Sequence, residues 1–214
     1  MQGVHFFRKI RMDTAILLDG DFTRRLLKRK IGHYPSVPEI EAFCKSVLLP
    51  GEGLHKTYFY DCPPFDEKRP LPVSGGICNF TVTDVYARAI EFQQSLRGNP
   101  FFVYRRGHLS FDGWILKDSS VKKLLKTPSP LMDQDFDPIL SQKQVDMKIG
   151  LDVAKLSIGQ LVGRILLATS DADFIPAIHF ARGNKVEVVL LSDVAAVRRT
   201  KGSLLKAFSA HRIV

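Results

Sequence analysis

Residues 164–191, RILLATSDADFIPAIHFARGNKVEVVLL, decide the fold. Arg164 to Thr169 and Val186 to Leu191 are short, unbroken apolar runs, which is how a strand buried on both faces reads. Between them SDAD leads into an amphipathic helix from about Asp173 to Arg182, and Gly183 stands where a helix cap belongs. Strand, helix and strand in that order imply a parallel pair with a crossover.

The same alternation extends outward in both directions. AILLD (Ala15 to Asp19) reads as a first buried strand, followed by a basic helix from about Phe22 to Lys30. Ser36 with Glu39 three residues on forms a capping box, and Pro38 suits the first turn of the helix that follows. KTYFYD (Lys56 to Asp61) is a second strand. A helix from about Thr83 to Leu96 stops at Gly98 and Pro100, before a third strand, FFVYR (Phe101 to Arg105). VDMKIGLDVAKLSIG is helical by the spacing of Val145, Ile149, Val153 and Leu156, and a basic helix closes the chain after strand 186–191. The expected class is α/β, with a central, mostly parallel sheet and helices on both faces. Two stretches interrupt this order and read as loops inserted into a single domain of residues 1–214. Residues 62–80 carry four prolines and Gly75–Gly76. Residues 107–142 contain an added strand or hairpin, HLSFDGWILK, with Asp112–Gly113 as its turn, and then a polar excursion with three prolines.

Composition narrows the class of function. The 214 residues are 45% hydrophobic, 25% charged and 10% aromatic, an ordinary globular profile that excludes a disordered or fibrous chain. No apolar run reaches the ~18–20 residues of a membrane span, and MQGVHFFRKIRMD lacks the apolar core of a secretory signal, so a cytoplasmic location is expected. Three cysteines without CxxC spacing argue against a disulfide framework or a zinc site. Lys and Arg number 31 against 22 Asp and Glu, a net charge of +9. The surplus gathers at Arg8, Lys9, Arg11, Arg24, Arg25, Lys28, Arg29 and Lys30, and again at Arg198, Arg199, Lys201, Lys206 and Arg212. It favours a polyanionic partner.

Against that surplus, the carboxyl ends of the expected strands carry aspartates. In open α/β sheets this is the end where ligands bind. The first strand ends in Asp19–Gly20–Asp21, the second at Asp61, the fourth in Thr169–Ser170–Asp171–Ala172–Asp173 and the fifth in Ser192–Asp193. Asp146 opens the helix leading into the fourth strand. Clustered carboxylates repel unless protons or cations stand between them, and hard divalent cations take such oxygen ligands. Asp173 and Asp193 also suit helix caps, and Asp61 suits a turn before Cys62–Pro63–Pro64. Asp152 lies about 120° around the helix from Asp146 and ~9 Å along it, so one ion would not take both.

These residues carry a resemblance. LLDGDF, KTYFYDCPP, KQVDMKIGLD and LLATSDADFIPAIHFARGNKVEVVLL resemble, in order and wording, the blocks of NYN domains, the PIN-like, LabA-type relatives of metal-dependent ribonucleases. The likeness runs in patches over most of residues 13–192. It implies a PIN-like three-layer sandwich and an acidic pocket binding Mg²⁺ or Mn²⁺. It implies Asp19, Asp146, Asp171 and Asp173 as the metal-binding and catalytic residues, with Asp21, Asp61, Asp152 and Ser170 supporting them. It also implies RNA, single-stranded by expectation, as the substrate. The chemistry would be metal-assisted phosphodiester hydrolysis without a side-chain nucleophile. Arg24, Arg25, Lys28, Arg105 and Arg106 would hold the RNA backbone, and Phe22, Tyr60 or Trp114 are candidates for stacking on bases. A homo-oligomer is compatible with the sequence. The departure from the family is Phe22, where a D-G-x-N pattern has Asn.

Two other readings stand beside it. The chain could be an RNA-binding or regulatory NYN module with weak or no activity, which Phe22 favours. Asp19–Gly20–Asp21–Phe22–Thr23 also fits the DxDxT nucleophile motif of haloacid dehalogenase-type phosphatases, where the first Asp attacks phosphorus and the second is the acid/base. SDADF could supply that family's later acidic pair, but no earlier motif supplies its remaining residues.

Overall fold

The computed structural model describes residues 12–214. The expectations placed on residues 1–11, the basic Arg8, Lys9 and Arg11 and the absence of a secretory signal, lie outside the described residues. Ten strands and eight α-helices follow in chain order among those described. They are β1 (Met12–Asp19), α1 (Gly20–Ile31), α2 (Val37–Ser46), β2 (Glu52–Asp61), β3 (Lys68–Pro70), β4 (Ile77–Asn79), α3 (Asp84–Gly98), β5 (Phe102–Arg106), β6 (His108–Leu116), α4 (Asp118–Lys126), β7 (Phe136–Lys143), α5 (Val145–Ile158), β8 (Arg164–Ala168), α6 (Ile175–Gly183), β9 (Glu187–Ser192), α7 (Val194–Arg199), α8 (Gly202–Ala207) and β10 (Ala210–Ile213). The chain forms two compact units.

The first unit, which among the described residues comprises 12–61, 96–105 and 146–214, holds a six-stranded sheet of order β10-β9-β8-β1-β2-β5. β1 pairs in parallel with both β2 and β8, β8 with β9, and β9 with β10. The expected α/β class, a central mostly parallel sheet with helices around it, is therefore the observed one. Ala15 to Leu18, Ile165 to Ala168 and Val188 to Leu191 are all buried. That is why these strands read as unbroken apolar runs, and each buried Leu or Ile there contributes about 1.5–3 kcal/mol.

Local signals agree with the helices. α1 ends on Gly32 in the left-handed region (φ 86°), whose N–H reaches the Lys28 carbonyl. At α2 the Glu39 carboxylate accepts from both the N–H and the hydroxyl of Ser36, which hold it down to about 2. Two expectations need correction. Gly183 is the last residue of α6, and the left-handed residue beyond it is Lys185 (φ 64°). The basic tail is two short helices and an edge strand. Thr200–Lys201–Gly202 breaks the helix, and β10 then adds to β9.

The second unit, residues 62–95 and 106–145, takes in both stretches expected to be loops, together with most of the expected helix α3 and with β6, which matches the expected strand HLSFDGWILK. β3 and β4 form an antiparallel hairpin, and β6 pairs antiparallel with β7 around α4. Asp112–Gly113 is a bulge inside β6, with Gly113 at φ 122°, rather than a hairpin turn. The residues order because they share apolar contacts of their own. Phe80 packs edge-on against Phe65 (5.1 Å between centroids), and Phe111 against Trp114 (5.5 Å). The Trp114 indole N–H donates to the Pro70 carbonyl at 2.9 Å, so this ring is a packing element of the unit.

Candidate acidic site

The site begins where β1 meets α1. Asp19 is the last residue of β1 and the N-cap of α1, its carboxylate accepting from the Phe22 N–H at 3.2 Å. Gly20 follows because nothing larger fits. A Cβ there would stand 2.7 Å from the Tyr60 carbonyl and 2.9 Å from the Phe59 ring. The glycine lets α1 start flush against the end of β2, which fixes the direction of the Asp19 side chain.

β8 is the hydrogen-bonded neighbour of β1, with Leu18 opposite Ala168. The chain leaving β8 therefore delivers its aspartates beside Asp19. The Thr169 hydroxyl accepts from the Asp171 N–H (3.1 Å), and the Asp171 carboxylate accepts from the Asp173 N–H (2.9 Å), capping a 3-10 turn over Ala172–Phe174. Asp173 lies inside that turn and does not cap α6, whose N-cap is Phe174. Asp146 comes from the first turn of α5.

Asp146 links the carboxylates: its charge acts on Asp19, and the charges of Asp171 and Asp173 act on it. Burial pushes the Asp19 carboxyl up to about 6, and the charges of Asp21 and Asp146 add to the push against the hydrogen bond from Phe22. The surrounding protein and then the charges of Asp171 and Asp173 raise the Asp146 carboxyl. Hard oxygen donors of this kind suit a divalent cation such as Mg²⁺ or Mn²⁺. Among the described residues, however, no three acidic, histidine or cysteine side chains are grouped closely enough to hold an ion as they lie. The donor chemistry fits a hard cation; the side-chain spacing, as packed, does not.

The expected supporting residues have other employment. Asp61, 5% exposed, pairs with Arg24 (2.5 Å), a contact that also places the Arg24 charge near Asp21 and Asp19. Asp152, 8% exposed, takes two hydrogen bonds from Arg105 and one from the Tyr60 hydroxyl. Asp21 pairs with Arg25 one turn along α1 (2.7 Å), and Asp193 caps α7 while pairing with Arg29 (2.6 Å). Ser170 is exposed beside the aspartates. Of the basic residues expected to grip RNA, Arg24 and Arg105 are thus engaged in ion pairs. Lys28 lies over the Tyr34 ring (4.1 Å), and Arg25 is largely exposed. Arg106 belongs to the second unit. Phe22 and Tyr60 are core residues. Sequence reasoning missed the Arg24–Asp61 and Arg105–Asp152 pairs, since ion pairs between distant residues leave no periodic signal. The need for Gly20 was readable from a glycine held between two aspartates at a strand–helix junction.

No family model matches the chain. An uncharacterized protein of Methanocaldococcus jannaschii is 38% identical over 61 residues, which is 28% of this chain and 25% of that protein. The matched segment thus spans about a quarter of that relative's length. A crystal structure of a protein of unknown function from Vibrio parahaemolyticus superposes with a TM-score of 0.54 at 14% identity, covering 100% of this chain and 96% of that one. The likeness is one of fold.

Proposed function

We propose that this chain is a metal-dependent ribonuclease of the NYN, PIN-like kind, acting on single-stranded RNA in the cytoplasm. The observation that carries the reading is that Asp19 ends β1 and that Asp171 and Asp173 follow its paired neighbour β8, while Asp146 of α5 acts on Asp19 and is acted on by Asp171 and Asp173, charges that add to the burial raising the Asp19 and Asp146 carboxyls. On this reading those four side chains, drawn closer than their packed spacing, would hold Mg²⁺ or Mn²⁺, which would supply Lewis acidity at a phosphate oxygen and acidify water. The chain's own part is to concentrate negative charge there and to keep it oriented. The α1 cap aims Asp19, the Thr169 hydroxyl fixes the Asp171 backbone, and the basic α1 face attracts the strand.

A second reading, an RNA-binding module without turnover, draws on two observations. Phe22, in place of the family's Asn, is 5% exposed and offers no polar group, and the acidic side chains are not grouped at ligand spacing. Labelled single-stranded RNA incubated with Mn²⁺ or with EDTA separates the two. Cleavage that EDTA stops and that Asp19→Asn abolishes supports the nuclease. Salt-sensitive binding without cleavage supports the module. Phosphate release from a small phosphoester in place of either points to the dehalogenase-type reading.

A further inference from the structure

Beside the aspartates lies a cavity of about 290 Å³, lined by Phe22, Arg25, Arg29, Ser170, Ala196, Arg199 and Thr200. It belongs wholly to the first unit. Its lining brings together three arginines from two helices, α1 and α7, that are far apart in sequence. No carboxylate lines it. Each arginine has a counter-charge nearby: Asp21 pairs with Arg25, and Asp193 pairs with Arg29 through Nε and also feels the charge of Arg199. Arg199 is tied to the Ala195 carbonyl, also through Nε (3.1 Å). Arg29 and Arg199 therefore keep their Nη groups without a hydrogen-bond partner among the described residues, while their stems are held.

We infer that this cavity is a phosphate-binding site, taking one phosphate of a nucleic-acid strand whose adjoining phosphodiester lies at the four aspartates. Where the strand runs rests on the ribonuclease reading; that the cavity binds phosphate does not. A planar carboxylate is satisfied by one arginine fork, whereas forks arriving from two helices suit a tetrahedral group with acceptors on several sides. The volume is about ten times a water molecule's ~30 Å³ share of the liquid, room for a phosphate and the sugar bearing it. Phe22 and Ala196 give the sugar an apolar floor. Ser170 precedes Asp171 and Phe22 lies three residues after Asp19, so the cavity and the acidic site share both of their connecting segments. This gives Phe22 a place in the substrate path that its burial alone would not suggest. It also explains why a strongly basic chain can use an acidic pocket: the arginines hold the strand that the aspartates would otherwise repel.

The test titrates the full chain in EDTA, so that cleavage plays no part. Inorganic phosphate at constant ionic strength is followed by melting temperature and calorimetry, in the parent and in Arg25→Gln/Arg199→Gln. The expected result is saturable phosphate binding by the parent, weakened at least about tenfold in the double variant and partly restored by Arg199→Lys. The same proteins are then offered one RNA sequence with and without a 5′-phosphate. A terminal occupant makes the phosphorylated strand bind about tenfold tighter, and the double variant erases that difference. An internal occupant makes both strands bind alike, and the double variant weakens both. Phosphate and RNA binding that the double variant leaves unchanged, or no phosphate binding by the parent, overturns the inference. Retained phosphate binding with no RNA cleavage under Mn²⁺ sinks only the nuclease reading. Cleavage by a parent that binds no phosphate sinks only this one.

Discussion

Arg105 grips Asp152 with two hydrogen bonds, Nε to one carboxylate oxygen at 2.8 Å and Nη to the other at 2.9 Å, and the buried Tyr60 hydroxyl adds a third at 2.9 Å. The clasp joins β5, β2 and α5. Both the tyrosine hydroxyl and the guanidinium depend on one carboxylate that is almost fully removed from water. Asp152→Asn leaves the Arg105 charge half-buried without its counter-ion. Stability should fall by about 2–4 kcal/mol, read as a lower urea midpoint at unchanged slope. RNA affinity per folded molecule should not change. A variant as stable as the parent would show that the clasp is ornamental.

Asp19 makes stability depend on pH in a stated direction. Its folded carboxyl titrates near 6, above the ordinary 3.8, so between those values the folded protein binds the proton that the unfolded chain has released. Stability of the metal-free protein therefore falls as pH rises from about 3.8 to about 6. Glu39 and Glu52, held down to about 2, act in the opposite sense and only at lower pH. Asp19→Asn should flatten the fall and raise stability at pH 7.5 by about 1–2 kcal/mol, because Asn still caps α1 while no charge is buried there and the repulsion from Asp21 and Asp146 is relieved. Equal pH profiles for parent and variant, by thermal melting in EDTA, would contradict this.

Gly20→Ala tests the seating of α1. The added methyl would meet the Tyr60 carbonyl at 2.7 Å and the Phe59 ring at 2.9 Å, and a backbone carbonyl in the middle of a sheet cannot step aside. The helix must lift, taking the Asp19 cap and Phe22 with it. A loss of about 1–3 kcal/mol is expected, together with weakened Mn²⁺ or RNA binding. Alanine's usual advantage in a helix would otherwise stabilise by up to about 1 kcal/mol, so the sign of the measured change decides the matter.

Thr57, fully buried on β2, keeps a hydroxyl with no hydrogen-bond partner among the described residues, and Thr23 on α1 does the same. Thr57→Val keeps the branched shape, suits a strand and removes the unmet polar group. It should stabilise the protein by about 0.5–1.5 kcal/mol in chemical denaturation. Destabilisation instead would reveal a partner for this hydroxyl in solution.

Five strands of the six-stranded sheet, all but β10, were legible in the chain because a buried parallel strand has little freedom in composition. AILLD, KTYFYD, FFVYR, RILLAT and VEVVLL are apolar where both faces are covered, and the turns between them carry capping residues at the required offsets. The aspartates were legible for a related reason: strand order in a parallel sheet puts every carboxyl end on one side, so residues after a strand can be assigned to that side from sequence alone. Of the second unit, helix α3 and strand β6 were legible and the rest was not. Its strands are short or half-exposed, and its prolines and glycines mimic loop composition. It forms because Phe65, Phe80, Phe111 and Trp114 meet across about fifty residues. Nor could the sequence say which arginine faces a cavity and which is bound to an aspartate. Arg24 and Arg25 are neighbours in the chain, yet one is committed to the buried Asp61 and the other pairs with the exposed Asp21 and lines the arginine-rich cavity, because a helix turns each successive side chain by ~100°. Charge and strand polarity are properties of the chain; pairing between distant side chains exists only once packing has chosen their neighbours.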